Sequence, residues 1–108
     1  MTQPKVFLYA EFQNSAPFDA AIWRETNVAM RAVPGLRSKT WLSGIGTHSV
    51  GGFYEFDTEQ NARAYAEGLL ATFAKGAGAS LSVKLFDAEV VAEASAGMQS
   101  PFFRAAHP

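Results

Sequence analysis

The pattern of apolar and polar positions changes period several times along the chain, and each change marks an element. In Lys5–Phe12, Val6, Leu8, Ala10 and Phe12 fall on one side of an extended segment, with Phe7, Tyr9 and Glu11 on the other, which predicts a strand. Asn14 and Ser15 supply cap oxygens ahead of Pro17, a residue tolerated in a first helical turn because its missing N–H would have no partner there. A helix is therefore expected to begin near residue 16 or 17. Its inward stripe is Phe18, Ile22, Trp23, Thr26, Ala29, Met30 and Val33, with Arg24, Asn27 and Arg31 opposite, and Pro34-Gly35 ends it. Residues 36–43 and 50–57 read as a hairpin around the glycine-containing loop Gly44–Ser49. The expected register sets Arg37 opposite Asp57, Lys39 opposite Glu55 and Trp41 opposite Phe53, with Ser38, Thr40 and Leu42 on the other face against Phe56, Tyr54 and Gly52. A slip of one residue would exchange the two faces. Asp57 or Thr58 caps a second helix whose stripe is Ala62, Tyr65, Ala66, Leu69, Leu70 and Phe73, closed by Gly76-Ala77-Gly78. Residues 80–87 alternate again as a last strand, and the alanine-rich tail has room for a short helix over 88–96.

The order β-α-β-β-α-β predicts an α+β, ferredoxin-like fold, with a four-stranded antiparallel sheet and two helices on one face. Residues 1–108 form a single domain, with the core in about 5–90 and a C-terminal tail in 91–108. The face without helices is expected to carry Phe7, Tyr9, Glu11, Arg37, Lys39, Trp41, Phe53, Glu55, Lys84 and Phe86. That mixture of rings and balanced charges fits a partner surface better than open solvent. A homodimer is predicted, with Phe7, Tyr9, Lys39, Trp41, Phe53, Glu55 and Phe86 at its interface.

Composition narrows the chemistry. Nine Lys and Arg against ten Asp and Glu give a net charge of -1, without the positive field that nucleic acids or anionic membranes require. No apolar run approaches a membrane span, and the start runs into a strand without a signal-like stretch, so a cytoplasmic location is expected. The absence of cysteine removes thiolate nucleophiles, disulfides and thiolate metal sites. Neither histidine, His48 nor His107, belongs to a pair with ligand spacing, so no metal is expected. Gly44-Ile45-Gly46 and Gly76-Ala77-Gly78 lack the context of phosphate loops. Glu11 and Glu55 share a face, but Lys84 and Lys39 are expected to neutralise them, which makes them poor bases. The helix-facing layer is more promising, because Trp23, Thr26, Ser38, Thr40, Tyr54 and Tyr65 bring hydroxyls and an indole into apolar surroundings. Such a layer is either a filled core with satisfied hydroxyls or a small-molecule pocket.

Pro34-Gly-Leu-Arg-Ser-Lys-Thr-Trp41, His48, Gly51-Gly-Phe-Tyr-Glu-Phe56 and Val83-Lys-Leu-Phe-Asp87 together resemble the ydhR-type mono-oxygenases of the dimeric α+β barrel superfamily. The likeness spans about residues 5–90. It implies a homodimer in which two sheets form a barrel and each protomer keeps a cavity between sheet and helices. It also implies oxygenation of a small aromatic or polycyclic phenolic compound by O2 with no cofactor, the substrate supplying the electrons. In that chemistry the protein excludes water, orients the ring and stabilises an anion. Tyr54 and Tyr65 then become catalytic donors and His48 a candidate base on the loop. Trp23, Thr26, Ser38 and Thr40 become substrate contacts. Haem degradation is disfavoured for want of an inward helix histidine. Two alternatives use the same pocket: a dimer that binds a small aromatic or lipophilic ligand without catalysis, and a ring isomerase or lyase.

Overall fold

The computed structural model describes residues 5–13 and 20–103. The expected caps Asn14 and Ser15, the helix start near residue 16 or 17, Phe18, the Ile22 side chain and His107 lie outside the described residues. The elements are β1 (Val6–Gln13), α1 (Ala20–Met30), β2 (Leu36–Ser43), β3 (Ser49–Phe56), α2 (Glu59–Tyr65), a π-helical segment (Ala66–Leu70), α3 (Ala71–Ala77), β4 (Ser80–Asp87), α4 (Ala92–Gly97) and a 3-10 turn (Pro101–Phe103). The four strands form one antiparallel sheet in the order β2-β3-β1-β4. This is the ferredoxin-like α+β arrangement the alternation predicts.

Local chemistry explains the boundaries. The Thr58 side chain accepts the Asn61 N–H at 3.0 Å and starts α2, while Gly78 closes α3 in the left-handed conformation at φ 65°. Gly35, at φ 77°, turns the chain into β2 against Asp57 and Asn61, where an added Cβ would fall 2.2 Å from Asp57 Oδ1. Only glycine fits there.

The core lies between the helices and one face of β1 and β3. Leu8, Ala10, Tyr54, Phe56, Met30, Ala62, Tyr65 and Leu70 form one buried cluster. The stripe of the second helix does not run straight through, because the π turn delays it by one residue. Ala74 is buried in place of the expected Phe73, which is 38% exposed. α1 contributes less. Between Trp23 and Met30 only Met30 is buried, while Trp23, Thr26 and Asn27 are half-buried.

The hairpin register differs from the expected one. Leu36 faces Phe56, but then Ser38 faces Glu55, Lys39 faces Tyr54, Thr40 faces Phe53 and Trp41 faces Gly52, with the irregularity between Leu36 and Ser38. One extra residue enters β2 at Arg37, and every later side chain changes face. The charge match survives in another form, because Arg37 Nη1 reaches Glu55 Oε2 at 3.4 Å from the bulge. With Glu55 served by Arg37, Lys39 is released to the helix side. Lys39 and Trp41 therefore leave the open face to which the sequence assigns them, and the hydroxyls expected inside, Ser38 and Thr40, move out.

The open face is also not bare. Phe102, in the tail, packs against Phe7 and Phe53 with ring centroids 5.5 and 5.3 Å away, and Phe103 meets Phe7 at 5.8 Å. Lys5 Nζ donates to the Phe102 carbonyl and sits 4.5 Å from the Phe103 ring. Phe86 on β4 remains 48% exposed. Among the described residues no helix is long and apolar enough to cross a membrane.

Candidate functional site

The chemistry-bearing side chains gather beneath the C-terminal half of α1. β3 supplies Tyr54 and α2 supplies Tyr65. Their ring centroids stand 5.2 Å apart, and the Tyr65 hydroxyl donates to the Tyr54 oxygen at 3.2 Å. Burial pushes both phenols above their ordinary range. The neighbouring Tyr65 adds to the rise at Tyr54, while at Tyr65 the hydrogen bond to Tyr54 partly offsets it. The pair stays neutral at physiological pH, so it offers hydrogen bonds and no general base.

Met30 links this pair to β2. Its Sδ lies 4.0 Å from the Tyr65 hydroxyl and accepts from Lys39 Nζ at 3.4 Å. The Lys39 ammonium sits 3.3 Å from the Trp41 ring centroid and 5.0 Å from that of Tyr54. It forms no ion pair with a carboxylate among the described residues. Burial lowers its pKa from the ordinary 10.5 to about 8. Gly52 makes this packing feasible, since a Cβ there would fall 2.8 Å from Lys39 Cε and 3.0 Å from the Tyr54 ring. The Trp41 indole N–H donates to Asn27 Oδ1 at 2.9 Å, which ties β2 to α1.

Among the described residues, clefts open on either side of α1. One, of about 330 Å³, lies between α1 and α2 and is lined by Ala29, Ala32, Val33, Pro34, Asn61, Ala64, Tyr65 and Leu69. The other, of about 340 Å³, lies between α1 and β2 and is lined by Asn27, Met30, Arg31, Leu36, Arg37, Ser38, Lys39 and Trp41. The first is apolar with a phenol and an amide, the second rich in cations.

The residues singled out in the sequence separate accordingly. Tyr54 and Tyr65 meet as expected, although Tyr54 is packed in the core at 1% exposure rather than opening on a cavity. Trp23 lines neither cleft; the Arg24 guanidinium carbon lies 5.3 Å from its ring centroid. Thr26 is half-buried on the inward side of α1. Thr40 pairs with Phe53 on the other face, and Ser38, on that same face, borders the second cleft only from the edge of the sheet. His48 is exposed in the hairpin loop at φ 54°. Five strand residues from Ser49 to Tyr54 span about 17 Å, so the loop histidine is far from the tyrosines. Among the described residues no three His, Asp or Glu side chains converge as a metal cage would need.

Sequence reasoning placed Met30 inward but gave it no part in the site, set Asn27 on the outer side of α1 where the structure half-buries it against Trp41, and missed the inward placement of Lys39 and Trp41. The signal was present in Gly51-Gly52, since a bulky Trp41 pairs naturally with a glycine that leaves room beside it.

A four-stranded ferredoxin-like sheet with its chemistry under the first helix defines a broad structural class. Within it, the chain belongs to the family described as "Putative mono-oxygenase ydhR", whose model matches residues 7–100. No curated protein matches the chain. Among solved structures it is similar to the NE2512 protein of unknown function from Nitrosomonas europaea, at 19% identity and a TM-score of 0.56, over 79% of this chain and 89% of that one. That likeness supports the fold alone.

Proposed function

We propose that the chain is a cofactor-independent mono-oxygenase of a small polycyclic phenol or its enolisable ketone form, acting in the cleft between α1 and α2. The observation that carries this reading is Tyr65, which lines a mostly apolar cleft and whose hydroxyl pairs with that of the buried Tyr54. Polar donors in a dry, shaped site are what a reaction through a substrate anion requires. For an anthrone, loss of one methylene proton gives an enolate, which passes one electron to O2. The radical pair combines at carbon, and the hydroperoxide loses water to leave a ketone. One oxygen atom enters the product and the other leaves as water. Reversing the pair's hydrogen bond, so that Tyr54 donates to the Tyr65 oxygen, would free the single Tyr65 proton to donate to the enolate oxygen.

The test is O2 uptake with a panel of anthrones and polycyclic phenols under metal chelation. Tyr65→Phe is expected to slow turnover by about 100-fold, the typical effect of losing one oxyanion donor. Among the described residues neither phenol is hydrogen-bonded to a carboxylate or an imidazole, which favours a second reading, binding without catalysis. Saturable binding across the panel with no O2 uptake would select it.

We also propose that the protein works as a homodimer through the open sheet face. Phe86 there is 48% exposed, and the described residues of the tail pack on the Phe7–Phe53 side. Sedimentation as a monomer at micromolar concentration would overturn this.

A further inference from the structure

The second cleft, between α1 and β2, is a separate site with different chemistry. Among the described residues that line it, Arg31, Arg37 and Lys39 are cationic and none is acidic. Arg37 is engaged by Glu55 on the far face of the sheet. Lys39 differs, because its ammonium is half-buried against the Trp41 and Tyr54 rings, and among the described residues its hydrogen-bond acceptor is a thioether sulfur. Ring faces and sulfur compensate weakly for the water an ammonium loses on burial. A carboxylate would compensate far better.

We propose that the α1–β2 cleft binds a planar aromatic carboxylate, with Lys39 as counter-ion to the carboxylate and Trp41, Met30 and Leu36 as the apolar wall. The volume, about 340 Å³, is at the small end of ligand pockets and suits one or two fused rings. Asn27 supports the wall, since its Oδ1 fixes the Trp41 indole at 2.9 Å. Nothing in this site uses the Tyr65 cleft on the other side of α1, so it stands whether or not the oxygenase reading does.

The site is pH-dependent in a definite direction. Lys39 has a pKa of about 8 in the free protein, and a bound carboxylate raises it. Affinity therefore falls as pH rises through about 8 and levels off once the amine is neutral in the complex as well. The other ionisable groups around Lys39 are Arg31 and Arg37 along the cleft, Tyr54 beneath it and Tyr65 across Met30. Burial holds both phenols neutral over this range.

Calorimetric titration of the full chain with 2-naphthoate, 2-naphthamide and inorganic phosphate tests the proposal. The expected result at pH 7 is saturable binding of the naphthoate, at least tenfold tighter than the neutral amide and tighter than phosphate. Affinity should drop at least fivefold between pH 7 and pH 9.5. Lys39→Met should lose the preference for naphthoate over naphthamide, and Lys39→Arg should keep it. Equal binding of acid and amide by the native protein, or phosphate binding as tight as naphthoate, would overturn the proposal without requiring any variant to fold. So would no naphthoate binding at all.

Discussion

The two halves of the helix layer are built on different terms. Under α2, the π turn and α3, the chain buries Ala62, Tyr65 and Leu70 against β1 and β3 and Ala74 on the α3 that packs beside β4, and the β1–β3 and β1–β4 registers run without irregularity. Under α1, the only described side chain that is buried is Met30, two clefts open beside it, and β2 carries a bulge. Stability is concentrated in the first half. The second half holds a half-buried cation, an indole tied to an amide, and the open volume in which a small molecule can sit. A well-packed core leaves no such space, so a protein of this size separates the two tasks.

The contrast can be broken most severely from the dense side. Leu70→Ala should destabilise the fold by about 2–5 kcal/mol, because it removes a fully buried side chain and leaves a cavity. Phe73→Ala, one turn on and displaced outward by the π segment, should lose only about 1 kcal/mol despite the larger side chain. Chemical denaturation of the two variants checks this; a larger loss at Phe73 would mean that the helix runs on with its ideal period.

Next in size is a charge exchange on β2 and β3. Lys39→Glu buries a carboxylate among aromatic rings and should destabilise by about 2–4 kcal/mol. Adding Glu55→Lys should bring no rescue, because the two side chains lie on opposite faces of the sheet. Recovery of stability in the double variant would restore the register in which Lys39 faces Glu55.

These predictions also show how far the sequence could be read. Element order, strand limits within a residue, the Thr58 cap and the α2 stripe were legible, because each rests on local periodicity or on a side chain that satisfies its own neighbourhood. The meeting of Tyr54 and Tyr65 was legible for the same reason, since both lie on stripes that the sequence marks clearly. The bulge was not. Two registers compete for the same charges, and Arg37 can reach Glu55 in the bulged one as readily as Lys39 could in the regular one. The π turn left no periodic mark either, because Leu69 and Leu70 fit the stripe in both geometries. The tail was illegible for a further reason: Phe102 is placed by contacts with Phe7 and Phe53, far away in the sequence.

The smallest effect concerns the open half and has a distinctive sign. Lys39→Met removes the burial penalty of an ammonium and should stabilise the protein at neutral pH, by about 1–2 kcal/mol. The folded-state pKa of Lys39 is about 8, below its ordinary 10.5, so the unfolded chain binds the extra proton between those values. Native stability therefore rises with pH across that window relative to the Met variant, and the advantage of the variant should shrink from pH 8 to pH 10.5. Paired urea titrations over that range read the difference directly.

The claim on which the rest depends is that the bulge at Arg37 turns Lys39 and Trp41 toward α1. Proton–proton nuclear Overhauser contacts from the Trp41 indole N–H report on it most directly. Contacts to the Asn27 side-chain protons and, through the ring, to the Lys39 ε-methylene are expected, with none to the Phe53 ring. Contacts between the Trp41 and Phe53 rings, with none to Asn27, would contradict it.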